Sequence, residues 1–321
     1  MLIPSKIRGM DMKLDHLRYF LAAASEGSFT AAGLKMHITP TSVGHAVNVL
    51  EGQLGTDLFV RKPSRGLTLT VDGQKLFQQC RQVLADLETL QDQFRGPADQ
   101  FRGELIIGCQ EALIWSLLPR TIRNLAERQP GLRVSMKTTS LDTNYEALEE
   151  GEIDVLITFR NDDAAPSSCE VTTLCRPEVC ALMRKGHPLD TESETVKLDD
   201  LARYPQVMNN EPEAFDLAYN AYRALGYAPE VIFSSNVSSG AQALVGQGDA
   251  VSLRVVRSCS TVSPLGDPLT YKRIAGDFFR PCLVAAKVKS RTPGIRNKRD
   301  AFIEVCQELV TSGEMRDHLY Y

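Results

Sequence analysis

No apolar run in this 321-residue chain approaches the roughly 18 residues that a membrane span needs. The most apolar stretch, Ala112–Leu118, ends at Pro119. The first residues carry Lys6, Arg8 and Asp11 without an apolar core, so no secretory leader is expected. The eight cysteines form no C-x-x-C pair, and Cys169, Cys175 and Cys180 are spaced too loosely for a zinc knuckle. Reduced cytoplasmic thiols, no metal and no cofactor are the expectation. Positive charge is also scarce. The 36 Lys+Arg face 40 Asp+Glu, a net charge of −4. That excludes a uniformly basic nucleic-acid coat but not a local basic patch. There is no G-x-S-x-G elbow, phosphate loop or H-E-x-x-H pattern, and the five histidines are dispersed. An enzyme is therefore not expected.

What is present falls into three segments. Residues 13–70 hold short helical patterns with tight turns, and residues 71–94 one long helical pattern. From residue 103 onward, strand-like and helix-like stretches alternate. Arg95-Gly-Pro-Ala-Asp-Gln-Phe-Arg-Gly103 reads as a linker.

Leu17, Phe20, Leu21 and Ala24 fall at helical spacing, and Gly27 stops that helix. Ser28 can cap a second helix, where Ala31, Ala32 and Gly33 would let two backbones approach closely. After a turn at His37-Ile38, Thr39 suits an N-cap and Pro40 the first position of a third helix. Val43, Val47 and Leu50 form its buried face. This is a helix-turn-helix pattern. Residues 58–61 and 67–70 then flank the basic tip Lys62-Pro-Ser-Arg-Gly66 as a hairpin wing.

In the long helix, Leu76, Cys80, Val83, Leu87, Leu90 and Phe94 recur in steps of four and three. A narrow seam on an otherwise polar helix suits a dimer. In the third segment, strands are expected at 104–109, 132–138, 154–159, 178–183, 206–208, 231–233 and 251–255. Helices are expected at 114–129, 145–150, 214–225 and 238–247. The alternation argues for mostly parallel sheets in two lobes.

Leu17-Arg-Tyr-Phe-Leu21, Gly27-Ser-Phe-Thr30, Leu50-Glu51, Leu54-Gly55, Leu58-Phe59, Arg61, Leu69-Thr70 and Gly73 resemble, in order and spacing, the N-terminal signature of LysR-type transcriptional regulators. Gly103-Glu-Leu-Ile-Ile-Gly108, Leu117-Leu-Pro119, Pro130, Gly151-Glu-Ile-Asp154 and Leu244-Val-Gly-Gln-Gly248 are similar to landmarks of that family's effector domain.

The resemblance implies an N-terminal all-α winged helix-turn-helix at 13–72 and a linker helix for dimerisation at 73–96. It also implies a C-terminal α/β effector domain at 103–321, two-lobed like periplasmic solute-binding proteins. Lobe I would take about 103–161 and 269–321, and lobe II about 162–268. The implied protein is a cytoplasmic homodimer or homotetramer on pseudo-palindromic duplex DNA, controlled by a small-molecule effector, with RNA polymerase as a further partner. The alternatives are a thiol-responsive regulator of the same fold, using Cys175 and Cys180, and a solute-binding protein without catalysis.

Candidate DNA contacts are Ser28, Thr30, Lys35, Thr39, Pro40, Thr41, Ser42, His45, Asn48, Arg61, Lys62 and Arg65. Pro40, Gly44 and His45 stand where the family usually has Gln, Ser and Arg, which predicts more reliance on the wing and on DNA shape. Candidate effector contacts are Gln110, Glu111, Ala112, Ser140, Asp142, Asn144, Arg160, Asn209, Asn236 and Ser238, outside the carboxyl ends of strands. Glu111 would stand at a helix N-terminus that normally attracts anions. An effector with an amino or hydroxyl group beside any acid is therefore expected. Arg254 is a second departure, standing where Pro is common.

Overall fold

The computed structural model describes residues 12–62, 66–92, 101–139, 144–160, 165–258, 260–276, 281–289 and 297–316. The chain divides into two units, Met1–Ala98 and Asp99–Tyr321.

The first unit contains α1 (Leu14–Glu26), α2 (Phe29–Met36), α3 (Pro40–Leu54), β1 (Phe59–Lys62), β2 (Gly66–Leu69) and α4 (Val71–Asp92). The caps expected at Ser28 and Thr39 form, and Thr70 caps α4 in the same way. The Ser28 hydroxyl accepts from the backbone N–H groups of Thr30 and Ala31. Thr39 Oγ1 accepts from Ser42 N–H at 3.1 Å, and Thr70 Oγ1 from Gly73 N–H at 2.9 Å. Such caps are each worth about 1 kcal/mol, because they satisfy donors that have no partner within the helix. Leu17, Phe20, Val43, Val47, Leu50 and Leu58 are buried together. The Phe59 ring stands 5.4 Å from that of Phe20 and 5.9 Å from that of Phe29.

Two glycines of the helix-turn-helix differ in kind. A Cβ on Gly33 would come within 2.8 Å of the Ile38 carbonyl oxygen, so the tight turn requires glycine there. A Cβ on Gly44 would meet only the Phe29 ring, at 3.8 Å, an ordinary contact. Gly44→Ala should therefore raise the stability of the N-terminal unit by about 1 kcal/mol through helix propensity. A calorimetric scan showing a lower transition for this variant would contradict that reading.

The long helix corrects the expected seam. Cys80 is buried in this unit's own core, with Leu76 packed against it. Val83 and Leu90 are exposed, Leu87 is half-buried, and Phe94 lies outside the described residues. The start of α4 packs on α1, so only the later positions remain for a partner.

The second unit opens with β3 (Gly103–Cys109), α5 (Glu111–Ile114), α6 (Leu117–Arg128), β4 (Leu132–Thr138), α7 (Asn144–Glu149), β5 (Val155–Arg160) and β6 (Cys169–Cys175). It continues with β7 (Cys180–Arg184), β8 (Thr195–Val196), α8 (Leu198–Leu201), β9 (Gln206–Met208), α9 (Pro212–Ala224), β10 (Val231–Ser234) and α10 (Ser238–Gly246). It closes with β11 (Ser252–Arg254), β12 (Leu269–Ile274), β13 (Cys282–Val288) and α11 (Lys298–Thr311). One sheet has the order β4-β3-β5-β13-β6 and another β11-β7-β12-β8. The pair β10-β9 joins the second through a Gln206–Val251 bridge.

Three expectations are corrected here. The sheets are mixed: β3, β4 and β5 run parallel, but β13 is antiparallel to β5 and β6, and β7 to β11 and β12. The lobe crossings come later than residues 161/162 and 268/269. Strand β6 still pairs with β13 in the first sheet, whereas β12 pairs with β7 in the second. The chain thus crosses after Cys175 and returns after Ile274. Finally, the helix expected at 114–129 starts later, at Leu117, and a separate short helix, α5, ends just before it at Ile114. Pro119 has no N–H for the carbonyl of residue 115. Restarting the helix at Leu117 puts Pro119 in a first turn, where no donor is needed. Among the described residues no helix is long and apolar enough to cross a membrane.

His187, buried between β7 and β8, accepts from Leu189 N–H through Nδ1 at 3.1 Å. Its Nε2 therefore carries the proton and donates to the Asp249 carbonyl at 3.2 Å. Burial holds its pKa below the usual 6.5, outweighing the pull of the Asp249 carbonyl. The folded state thus binds this proton less readily than the unfolded one. The contribution is complete above pH 6.5 and is lost as pH falls through the depressed folded value. Melting temperatures of His187→Gln should fall less than those of the wild type below pH 6.5; parallel curves would refute this.

Candidate functional site

In the first unit, Thr39, Pro40, Thr41, Ser42, His45 and Asn48 are all exposed. Helical spacing puts Thr41, His45 and Asn48 along one side of α3, opposite the buried Val43 and Val47. The Thr39 hydroxyl also lies 3.1 Å from that of Thr41 and 2.8 Å from that of Ser42. The helix start is thus a cluster of hydroxyls without a cation. Ser28 spends its oxygen on capping α2, while Thr30 is exposed. Lys35 pairs with Glu26 at 2.7 Å, an exposed contact that a phosphate could replace at little cost.

The wing is fastened at both ends. Glu51 Oε1 accepts from Leu58 N–H at 2.9 Å and from Phe59 N–H at 3.4 Å. Leu67 N–H donates to the Gly27 carbonyl at 2.9 Å. Arg61 and Lys62 lie on β1, and Arg65 lies outside the described residues.

In the second unit, a cavity of about 410 Å³ opens between the two sheets' lobes. The turns after β3, β4, β9 and β10 supply its polar rim: Gln110, Glu111, Thr139, Asn209, Glu211 and Asn236. Val179, Met208, Ala214, Leu217, Ala218 and Val255 make an apolar wall. Tyr222 also lines it, and its buried hydroxyl donates to Gln206 Oε1 at 2.8 Å. Gln206 Nε2 in turn donates to the carbonyls of Leu201 and Tyr204. This closed network fixes one wall without using up the rim.

Of the expected effector contacts, Gln110, Glu111, Ala112, Asn209 and Asn236 line the cavity. Ser238 lies behind it, its N–H donating to Glu111 Oε2 and its Oγ accepting from Arg254 Nη2. Asn144 begins α7 and Arg160 ends β5, while Ser140 and Asp142 lie outside the described residues. The residue-by-residue reading missed Thr138, Thr139, Glu211 and Arg254. The turn after β4 pointed to the first two, and the departure at position 254 to the last.

The thiol alternative finds no reactive sulfur at its two candidates. Burial pushes Cys175 up to about 12, with Cys282 adding to it, and pushes Cys180 to about 12 against the opposing pull of Arg254 and Arg257. A nucleophilic cysteine needs a lowered value. Among the described residues no group of three or more His, Cys, Asp or Glu could hold a metal ion.

Comparison with known proteins places both units. Residues 14–74 match the "Bacterial regulatory helix-turn-helix protein, lysR family" model, and residues 98–307 match the "LysR substrate binding domain" model. The chain is 29% identical over 223 residues to the HTH-type transcriptional regulator TtuA of Agrobacterium vitis, covering 68% of this chain and 72% of that protein. It is 28% identical over 248 residues to the regulator BenM of Acinetobacter baylyi, covering 75% and 80%. The crystal structure of HinK from Pseudomonas aeruginosa shares its fold, with a TM-score of 0.57 at 24% identity over 94% of this chain and 99% of that one. The chain belongs to the LysR family of DNA-binding transcriptional regulators, whose activity a small-molecule effector controls.

Proposed function

We propose that this regulator takes its effector in the cavity between the lobes, without catalysis, and acts in the cytoplasm as a dimer or tetramer. The observation that carries the reading is the cavity itself, lined by residues from both lobes, so that a bound molecule would bias how they close. Asn209 and Asn236 supply its amide hydrogen-bonding groups, and Glu111 and Glu211 accept from an effector's hydroxyl or amino donor. Val83, Leu87 and Leu90 of α4 form the dimer seam. A two-fold dimer would read a pseudo-palindromic site with half-sites about one helical turn apart.

On DNA, Thr39, Thr41, Ser42, His45 and Asn48 face base edges or phosphates. Hydroxyls serve either role and a Thr methyl suits a thymine methyl. Arg61, Lys62 and Arg65 of the wing supply phosphate contacts, supplemented by Lys35. Selecting an operator from random duplex DNA and repeating the titration at several salt concentrations tests this division. Arg65→Ala should weaken all sites about equally and reduce the salt slope by about one. An unchanged slope would remove Arg65 from the interface.

A further inference from the structure

Glu111 and Ser238 belong to different lobes and meet across the cleft. Glu111 follows β3 of the first sheet and opens α5, which Leu113 ties into that lobe's core. Ser238 is the first residue of α10. Ala241 and Val245 of that helix are buried in the second lobe with Cys180, Leu182 and Tyr271. Gln242 of the same helix donates to the Tyr271 hydroxyl at 3.1 Å. Glu111 Oε2 accepts from the Ser238 N–H. One carboxylate is thus anchored in the first lobe and hydrogen-bonded by the second.

The start of α10 suits such a contact. Its N-cap residue, Val237, makes no side-chain cap, so the helix lacks an acceptor of its own there. A helix start also attracts negative charge. Arg254 stands on the other side of Ser238, with Nη2 donating to the hydroxyl. Burial lowers the pKa of Arg254, while Tyr271, Cys180 and the charge of Glu111 oppose that. A guanidinium stays protonated through shifts of this kind. Carboxylate, helix start and guanidinium therefore form one electrostatic unit across the cleft. Two residues beyond Arg254, Val256 is buried in the first lobe's core. The unit lies where the wall of one lobe is tied to the other.

We propose that Glu111 is an internal latch: the chain closes its own lobes through the bond to Ser238, and release of that bond is the switching step. The switching role rests on the reading of the cavity as the effector site. Glu111 lines that cavity, so an occupant that offers the carboxylate a donor competes with Ser238 for it. A latch fixed in both cores couples that competition to the angle between the lobes, because each end moves with its whole lobe.

Amide hydrogen exchange of the full chain, with no compound added, tests the latch. Closure is read at two rim amides that are bonded elsewhere. Thr139 N–H donates to the Cys109 carbonyl at 3.0 Å, and Glu211 N–H to Asn209 Oδ1 at 2.9 Å. Glu111→Ala should speed exchange at both by about fivefold or more. It should also change affinity for an operator selected from random duplex DNA by about threefold or more. Glu111→Gln keeps an acceptor without the charge and should fall between. Val237→Asp separates a latch from a simple helix cap, because it gives α10 a cap of its own. In Glu111→Ala/Val237→Asp, α10 should recover its protection while the rim stays fast and the DNA affinity stays altered. Recovery of all three would make Glu111 a cap and overturn the latch. Unchanged rim exchange in Glu111→Ala would overturn it too, and both results leave the cavity as the effector site. A fast rim with unchanged DNA affinity would instead overturn the switch, and with it the control of DNA binding by lobe closure. Should Glu111→Ala fail to fold, Glu111→Gln with and without Val237→Asp gives the same readings at smaller amplitude.

Discussion

Gly73→Ala should abolish specific DNA binding and cost the N-terminal unit about 3 kcal/mol or more. The position lies in the first turn of α4, where a Cβ would overlap the carbonyl oxygen of Leu58. It would also come within 3.1 Å of Leu69 Cδ2. The backbone carbonyl has no room to give. Leu58 is fully buried, and the same carbonyl accepts the N–H of Thr70 at 3.0 Å. Thr70 in turn caps α4 and donates to the Asp57 carbonyl at 2.7 Å. Inserting one methyl therefore pushes the base of the wing away from the long helix. That moves Arg61 and Lys62 relative to α3, and an interface that depends on register tolerates little such movement. A calorimetric scan and a gel shift on one preparation check both parts. A variant that melts and binds like the wild type would show that this junction does not hold the wing.

Lys287→Met should destabilise the effector unit by about 3–5 kcal/mol while leaving the DNA-binding unit's own transition in place. Lys287 on β13 is buried, hydrogen-bonds Asp300 and lies 3.4 Å from Glu170. Asp300 is also the third residue of α11, where its other oxygen accepts from Asn297 N–H at 2.9 Å in a capping box. Beside it, Arg299 reaches Asp154 at 3.5 Å, and Asp154 Oδ2 accepts from Ile106 N–H. Losing the ammonium strands the Asp300 carboxylate in a poorly hydrated place, and that stranded charge is the main cost. Lys287→Met/Asp300→Asn should then recover much of the loss. Additive losses in the double variant would mean that the two groups do not act as a pair.

How much of this was legible in the sequence depended on whether the signal was local. Ser28, Thr39 and Thr70 announce their helices, because a cap is decided within three residues. The strand pattern located the turns that carry Glu111, Asn209 and Asn236, and the resemblance to the family made those turns one site, whose cavity they line. Sheet membership did not follow. The patterns of β6 and β12 are equally compatible with either lobe, and only pairing with β13 and β7 assigns them. Cys80 was placed in the seam because periodicity cannot tell an intramolecular neighbour from a partner. Arg254 stood out as an anomaly, but its chemistry depends on Ser238 and Glu111, distant in sequence and brought together by folding.

The central claim is that occupancy of the cavity controls DNA binding. The most direct measurement is the affinity of the full chain for its selected operator, with and without a compound that raises its melting temperature, in wild type and in Ala218→Trp. Ala218 lines the cavity wall, so the indole would fill the space without touching the DNA reader. In the wild type the compound should change affinity or half-site spacing, and in Ala218→Trp it should do nothing. The same change in both proteins, or in neither, would contradict it.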